Sequence, residues 1–218
     1  MEGIRKEVPP IISESICLMS ERRIGVFLDR DGTLNEEVNY VRKPADLRLI
    51  EGAGKAVRRL NDVGTVACVI SNQSGVARGY LTEDDLIPIH QQLADDLAGF
   101  GARLDRIYYC PHHPTAGQTP YDVDCECRKP KPGMLYQGIR EFGIDPDQIF
   151  VVGDSIVDIQ AGNAVQATTI LVQTGYGNKS LERCTNEDVH PDFVVPTIVQ
   201  AVDTIVNIVN RKQERDAY

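Results

Sequence analysis

Apolar runs alternate with amphipathic stretches along most of the chain. The apolar runs predict short buried strands, and the longer amphipathic stretches between them predict helices. The strands are predicted at residues 24–28, 66–70, 106–109, 148–152 and 168–172, with a short one near 192–195. The helices are predicted at residues 53–63, 82–99, 133–142, 155–164 and 197–211. This alternation predicts an α/β fold, in which a parallel sheet carries helices on both faces.

One folded domain is expected, because a chain of 218 residues, 42% of them hydrophobic, can bury a single substantial core. We divide the chain into an N-terminal arm at residues 1–22, a folded domain at 23–212 and a C-terminal tail at 213–218. The pattern leaves no room for a large cap domain. Because ligands of parallel sheets bind beyond the carboxyl ends of the strands, we expect a site that is open to its substrate.

Charge and composition argue against several classes of partner. The net charge is -9 and no basic run alternates with aromatic residues, so nucleic acid is not an expected partner. No apolar stretch approaches the roughly 20 residues that span a bilayer. The apolar patches in the N-terminal arm are too short and interrupted for a signal peptide. We therefore expect a cytoplasmic protein without a membrane partner, acting as a monomer.

Two carboxylates stand at the end of the first predicted strand, in Val-Phe-Leu-Asp-Arg-Asp-Gly-Thr. Because strand side chains alternate, Asp29 and Asp31 are expected on the same side, close enough to share one hard cation. Magnesium would neutralise their repulsion and would also carry phosphate oxygens. Gly32 allows a sharp turn and Thr33 can cap the segment after it.

The second predicted strand ends in a polar turn that suits a phosphate group. Ser71 is followed by Asn72, Gln73 and Ser74 and then by a glycine. A small hydroxyl and freed main-chain N–H groups can donate hydrogen bonds to phosphate oxygens without crowding the phosphorus.

Cations gather in Arg128-Lys129-Pro130-Lys131, just before a predicted helix. A lysine here can offset the charge of a phosphate group, and Lys129 is the first candidate with Lys131 as its competitor. The planar fork of Arg128 suits a bidentate contact with a second phosphate.

The fourth predicted strand again ends in carboxylates. Asp154 is expected to complete the magnesium site, while Asp158 lies one helical turn further on and can orient it.

Four potential metal ligands lie between these segments. Three thiols and an imidazole form a full tetrahedral zinc set, at Cys110, His112, Cys125 and Cys127. Such a zinc would be structural and would pin the loop 110–127. His113 is the alternative ligand, and free cysteines beside surface histidines are the alternative to a metal site. The remaining cysteines are scattered, which suits a reducing compartment, at Cys17, Cys68 and Cys184.

The four strand-end segments resemble, in order, the four motifs of the haloacid dehalogenase (HAD) superfamily of phosphohydrolases. The resemblance implies a Rossmann-like HAD fold and a phosphatase. It implies that Asp29 is the nucleophile, which forms an aspartyl-phosphate, and that Asp31 is the general acid and base. Ser71 and Lys129 would hold the transferring phosphoryl group. Asp29, Asp154 and the main-chain carbonyl of Asp31 would bind magnesium.

The cysteine and histidine spacing resembles a HAD subfamily that contains the heptose bisphosphate and histidinol-phosphate phosphatases. The turn after Ser71 is closer to the heptose enzymes, so the resemblance implies removal of the 7-phosphate from D-glycero-D-manno-heptose 1,7-bisphosphate. A histidinol-phosphate phosphatase or another small-molecule phosphatase is the alternative. The resemblance also implies substrate contacts from Arg128 and from the loop Glu37, Val38, Asn39 and Tyr40. This chain departs at Ser155, where some members have lysine, and in its longer N-terminal arm.

Overall fold

The computed structural model describes residues 23–216. Its strands are β1 (Arg23–Leu28), β2 (Val66–Asn72), β3 (Arg106–Cys110), β4 (Ile144–Gly153), β5 (Thr168–Val172) and β6 (Phe193–Val195). Its helices are α1 (Ala53–Asp62), α2 (Ser74–Ala77), α3 (Glu83–Ala98), α4 (Gly133–Phe142), α5 (Ile156–Ala164), α6 (Gly177–Asn186) and α7 (Ile198–Asp216). A single 3₁₀ turn is described at Pro44–Asp46.

The strands form one parallel sheet in the order β3-β2-β1-β4-β5-β6. Strand β1 lies near the middle, where Phe27 pairs with Cys68 of β2 and with Val151 of β4. The carboxyl ends of β1, β2 and β4 therefore meet at one edge of the sheet. The predicted α/β fold is confirmed.

The core lies on both faces of the sheet because strand side chains alternate. Val26 and Leu28 belong to the apolar cluster that includes α1, α3 and α7. Phe27 belongs to the cluster on the opposite face, which includes α4. All three side chains have no exposed surface. This two-sided burial explains the continuous apolar run of β1, and it holds the residues that follow β1 on a rigid support.

Four elements differ most clearly from the sequence prediction. Helix α2 (Ser74–Ala77) lies where only a polar turn was predicted. Helix α6 escapes prediction because only Gly177, Ser180 and Cys184 are buried, which leaves too thin an apolar stripe to show helical periodicity. Strand β4 begins at Ile144, ahead of residue 148. Helix α7 continues to Asp216, past residue 211.

The predicted N-terminal arm, residues 1–22, and its Cys17 lie outside the described residues. The division into arm, domain and tail stays a prediction. Across residues 23–216, each helix is too short or too polar to cross a lipid bilayer.

Candidate active site

A cleft of about 290 Å³ lies beyond the carboxyl ends of β1, β2 and β4. It brings together most of the residues singled out in the sequence, namely Asp29, Asp31, Glu37, Asn39, Tyr40, Ser71, Asn72, Gln73, Ser74, Lys129 and Asp154. Two of the expected residues do not line it. Val38 is exposed on the outer side of its loop, and Arg128 lies against the main chain of His112.

Three buried carboxylates form what we call the carboxylate cluster, Asp29, Asp154 and Asp158. Each offers one oxygen atom, and these atoms lie within 4.8 Å of one another. Burial raises the pKa of Asp29, and the charges of Asp158 and Asp31 also raise it. Burial and the charge of Asp29 raise the pKa of Asp154. Because the ionised cluster is unfavourable by itself, it favours a bound cation.

Two glycines make room for the Asp154 carboxylate. A Cβ atom at Gly32 or at Gly175 would lie 2.1 Å from Asp154 Oδ2, and both glycines have positive φ angles. The main-chain N–H of Tyr176 donates to the same oxygen at 2.7 Å. Tyr176 also lines the cleft, which the sequence does not reveal because it lies in a loop far from the four motifs. These contacts fix Asp154 toward Asp29.

The Asp31 carboxylate lies outside the carboxylate cluster. Arg30 Nη2 donates to Asp31 Oδ2 at 2.8 Å, Gln73 Nε2 donates to the same oxygen at 2.9 Å, and Asn35 Nδ2 donates to Oδ1 at 3.0 Å. Burial by itself would raise the pKa of Asp31, but the Arg30 charge and these hydrogen bonds lower it. Arg30 therefore neutralises the Asp31 carboxylate in this structure, and the expectation that both strand-end side chains share one cation stays a prediction.

Arg30, like Tyr176, is a cleft residue that the sequence reasoning missed. Its side chain is fully buried, and its guanidinium also donates to Gln73 Oε1 at 3.2 Å. It thereby joins the ends of β1 and β2. A signal was present, since an arginine that directly follows a buried strand needs a charged partner nearby.

Lys129 is the central cation of the cleft. Its Nζ lies 2.7 Å from Asp29 Oδ1, 2.6 Å from Asp158 Oδ1 and 2.7 Å from the carbonyl oxygen of Ile70. Burial opposes the charged ammonium, but Asp158 and Asp29 outweigh it and raise the pKa of Lys129. The competing candidate, Lys131, instead pairs with exposed carboxylates outside the cleft.

The side-chain amide of Asn72 is hydrogen-bonded to the main chain of Lys129 and is therefore not free to contact a substrate. Its Nδ2 donates to the carbonyl oxygen of Lys129 at 3.0 Å, and its Oδ1 accepts from the N–H of Lys129 at 3.0 Å. Beside it, Ser71 Oγ accepts from Gln73 Nε2 at 2.7 Å. Asn72 therefore lines the cleft but uses its amide to fix the main chain of Lys129.

The loop after β1 forms one wall of the cleft. The Glu37 carboxylate accepts from the N–H of Asn39, whose φ is +67°. The hydroxyl of Tyr176 donates to Asn39 Oδ1 at 3.3 Å. Burial, and then the charge of Asp31, raise the pKa of Glu37. This wall is thus built from polar groups that can contact a hydroxylated ligand.

The predicted zinc ligands converge at the side of the cleft. We call Cys110, His112, Cys125 and Cys127 the cysteine cluster; their ligand atoms lie within 4.8 Å of one another. The three sulfur atoms are 3.1 to 3.4 Å apart. Nδ1 of His112 lies 3.4 Å from Cys127 Sγ. Three thiols and one imidazole fit the donor set of a structural zinc site.

His113, the alternative ligand, stands outside the cysteine cluster. Its Nδ1 accepts from the N–H groups of Thr115 and Ala116 at 3.3 and 3.0 Å, and its Nε2 lies 3.3 Å from Arg78 Nη2. Arg128 Nη1 donates to the carbonyl oxygen of His112 at 3.0 Å. Two guanidinium groups, those of Arg78 and Arg128, therefore lie against His113 and the main chain of His112.

Comparison with known proteins agrees with this geometry. A HAD-hydrolase-like family model matches residues 126–201. The D-glycero-beta-D-manno-heptose-1,7-bisphosphate 7-phosphatase of Pasteurella multocida is 46% identical over 151 residues, which cover 69% of this chain and 82% of that protein. The D-glycero-D-manno-heptose-1,7-bisphosphate 7-phosphatase of Thermosynechococcus vestitus is 41% identical over 187 residues, which cover 84% of this chain and 95% of the relative.

A solved structure is similar as well. The D,D-heptose 1,7-bisphosphate phosphatase of B. bronchiseptica, crystallised with magnesium and phosphate, is 31% identical with a TM-score of 0.75. The match covers 84% of this chain and 98% of that structure. The resemblance seen in the four strand-end motifs is thereby confirmed. The chain belongs to the HAD superfamily and, within it, to the family that these phosphatases form.

Proposed function

We propose that the protein is a magnesium-dependent phosphatase that removes the 7-phosphate of D-glycero-D-manno-heptose 1,7-bisphosphate. The observation that carries this proposal is the contact of Lys129 Nζ with Asp29 and Asp158 in the cleft that also contains Ser71 and Asp154. The relatives named above support the choice of substrate. They give no support to the histidinol-phosphate alternative.

In the first half-reaction, an Asp29 carboxylate oxygen attacks the phosphorus of the 7-phosphate. The bond from phosphorus to the sugar oxygen breaks, and protonated Asp31 gives its proton to the leaving oxygen. Lys129 and Ser71 offset and orient the transferring group. The products of this step are the sugar monophosphate and an aspartyl-phosphate on Asp29.

In the second half-reaction, ionised Asp31 takes a proton from a water molecule that attacks the phosphorus. The bond between Asp29 and phosphorus breaks, which releases inorganic phosphate and restores protonated Asp31. Arg30, Asn35 and Gln73 stabilise the ionised form of Asp31, which favours this second step and makes the protonated form used in the first step less populated.

Magnesium fits the carboxylate cluster. Asp29 and Asp154 are buried, their pKa values are raised, and Gly32 and Gly175 leave space around Asp154 Oδ2. Asp158 is not proposed as a ligand, since it pairs with Lys129 and accepts from the N–H of Ser155 at 3.0 Å. Asp29, Asp154 and the main-chain carbonyl of Asp31 would hold the ion. When bound, magnesium supplies positive charge to the carboxylates and to the phosphate oxygens.

Zinc fits the cysteine cluster and would be structural, because four protein ligands leave no open position. Main-chain contacts connect the cysteine cluster to residues of the cleft. The N–H of Gln73 donates to the carbonyl oxygen of Cys110 at 2.8 Å, and Cys127 lies just before Arg128 and Lys129. Because the ligands must stay reduced, a cytoplasmic location remains our proposal. The monomeric state and the lack of nucleic-acid and membrane partners also remain predictions.

We expect Cys125→Ser to destabilise the fold around the cysteine cluster and to affect catalysis only indirectly. Loss of one thiolate ligand removes metal binding that stabilises the loop 110–127, so the melting temperature should fall. Zinc content by mass spectrometry of the native protein and a thermal melt check this. Cys184→Ser is the control, since Cys184 is buried in a separate apolar cluster. A native protein without zinc and an unchanged melt in Cys125→Ser would contradict the zinc site.

The substrate is tested with kcat/KM for heptose 1,7-bisphosphate, histidinol phosphate and p-nitrophenyl phosphate. We expect the bisphosphate to be the best substrate. Arg128→Ala is expected to lower kcat/KM for the bisphosphate. The loss of transition-state stabilisation should be about 2 to 4 kcal/mol, the scale of a lost charge-assisted bidentate contact. The same variant should leave p-nitrophenyl phosphate nearly unaffected. If histidinol phosphate is preferred, or if all three substrates slow equally, the heptose hypothesis is wrong.

A further inference from the structure

Among the described residues, no carboxylate pairs with the positive charge of Arg78. Arg78 follows α2, which begins at the cleft residue Ser74, and its side chain is half-buried. Within residues 23–216 it forms no ion pair, and its buried Nε has no hydrogen-bond partner. A buried N–H without an acceptor is costly, so Arg78 is poised to bind one.

His113 faces Arg78 with a second donor. Its Nδ1 accepts two main-chain N–H groups, from Thr115 and Ala116, so the in-plane lone pair of Nδ1 is in use. The ring proton therefore lies on Nε2, the atom 3.3 Å from Arg78 Nη2. Two N–H donors thus lie next to each other, and an acceptor oxygen placed beside the pair would satisfy both.

Arg128 adds a second positive charge to the same place. Its Nη1 donates at 3.0 Å to the carbonyl oxygen of His112, the residue directly before His113. Within the described part of the chain, Arg128 also lacks an ion pair with a carboxylate. Arg128 directly precedes the cleft residue Lys129. In a protein with a net charge of -9, two arginines that lie against His112 and His113 without a carboxylate partner among the described residues indicate a local anion site.

We propose that Arg78 and His113 bind the phosphate group of the substrate that does not react, together with Arg128. This inference rests on the proposed function. A phosphate dianion supplies several acceptor oxygens, which match the free Nε and Nη2 of Arg78 and the Nε2 of His113. Asp29, Lys129 and Ser71 hold the reacting phosphate in the cleft, and Arg78, Arg128 and His113 hold the other one.

The first test needs no heptose. Magnesium and beryllium fluoride fill the reacting position, and inorganic phosphate is then titrated by calorimetry. The wild type is expected to bind one equivalent of phosphate, and Arg78→Met is expected to bind it at least about tenfold more weakly. Arg103→Met is the control, since Arg103 is exposed before the amino end of β3. Equal phosphate binding by wild type and Arg78→Met, or no binding by the wild type, overturns the site.

The second test asks whether the site serves the substrate. Arg78→Met is expected to lower kcat/KM for heptose 1,7-bisphosphate about tenfold or more, mainly through KM, with p-nitrophenyl phosphate unchanged. Arg78→Lys keeps the charge but loses Nε, so its loss should be smaller, and it replaces Arg78→Met if that variant fails to fold. Equal losses on both substrates indicate a merely structural arginine and overturn the proposal.

The two proposals can fail separately. If wild type prefers p-nitrophenyl phosphate to the bisphosphate, the proposed function fails, while the phosphate titration still reports on the site. If wild type prefers the bisphosphate and Arg78→Met keeps that preference, the proposed function stands and the role of Arg78 and His113 is wrong. Phosphate binding that depends on Arg78 without any kinetic effect indicates a site for free phosphate, which also overturns the substrate role.

Discussion

Asp29→Asn is expected to abolish turnover while the fold stays intact. The neutral amide cannot act as the nucleophile, so no phosphoryl group can be transferred to residue 29. The fold is expected to persist because Asp158 still pairs with Lys129 Nζ, and because the substitution relieves the repulsion between Asp29 and Asp154. Steady-state assays with the bisphosphate and a thermal melt measure the two effects.

Asp31→Asn is the matched variant for this experiment. It removes a carboxylate from the same strand end but leaves the nucleophile, so the rate is expected to fall by about a hundredfold or more without vanishing. Labelled phosphate should be trapped on Asp29 in the wild type after an acid quench and should be absent from Asp29→Asn. If Asp29→Asn still turns over and the wild type never carries the label, the covalent mechanism is wrong.

The strand ends are the part of the site that the sequence specifies well. Continuous apolar runs identify buried parallel strands, and the polar residues directly after them must meet at one edge of the sheet. Asp29, Ser71 and Asp154 could therefore be placed together from the pattern alone. Lys129 needed the family resemblance, because a lysine among other cations is usually a solvated charge.

Contacts between distant segments are the part that the sequence does not specify. The pairing of Asn72 with the main chain of Lys129, and the N–H of Tyr176 on Asp154, each join segments with no local pattern in common. Arg30 also has a partner in a distant segment, because the turn after β2 brings Gln73 beside its guanidinium group. Such residues do not repeat with a helical or strand period, so periodicity cannot identify them.

Lys129→Met is expected to have a large effect on both activity and stability. It removes the charge that offsets the phosphoryl group, so kcat/KM should fall about 10²- to 10³-fold or more. It also leaves the buried carboxylate cluster without its cation, and breaking a buried ion pair costs about 3 to 5 kcal/mol in the free energy of unfolding. Urea unfolding of the metal-free protein at neutral pH measures the second effect.

The stability loss in Lys129→Met is expected to depend on pH. Folding raises the pKa of Asp29 and Asp154, so their ionised forms destabilise the folded state, and removal of Lys129 increases that penalty. A carboxylate with a raised folded pKa loses this penalty as the pH falls through that value. Lys129→Met should therefore regain stability relative to wild type between neutral and mildly acidic pH.

Two further variants separate charge balance from catalysis. Lys131→Met is the matched control, since Lys131 pairs only with exposed carboxylates, and it should change neither the free energy of unfolding nor kcat/KM appreciably. Adding Asp158→Asn to Lys129→Met removes one repelling charge from the cluster. That double variant is expected to recover much of the stability but none of the activity, because the lost cation acts on the phosphoryl group as well as on Asp158. If Lys131→Met instead gives the larger loss of activity, the competing lysine is the one that offsets the phosphate.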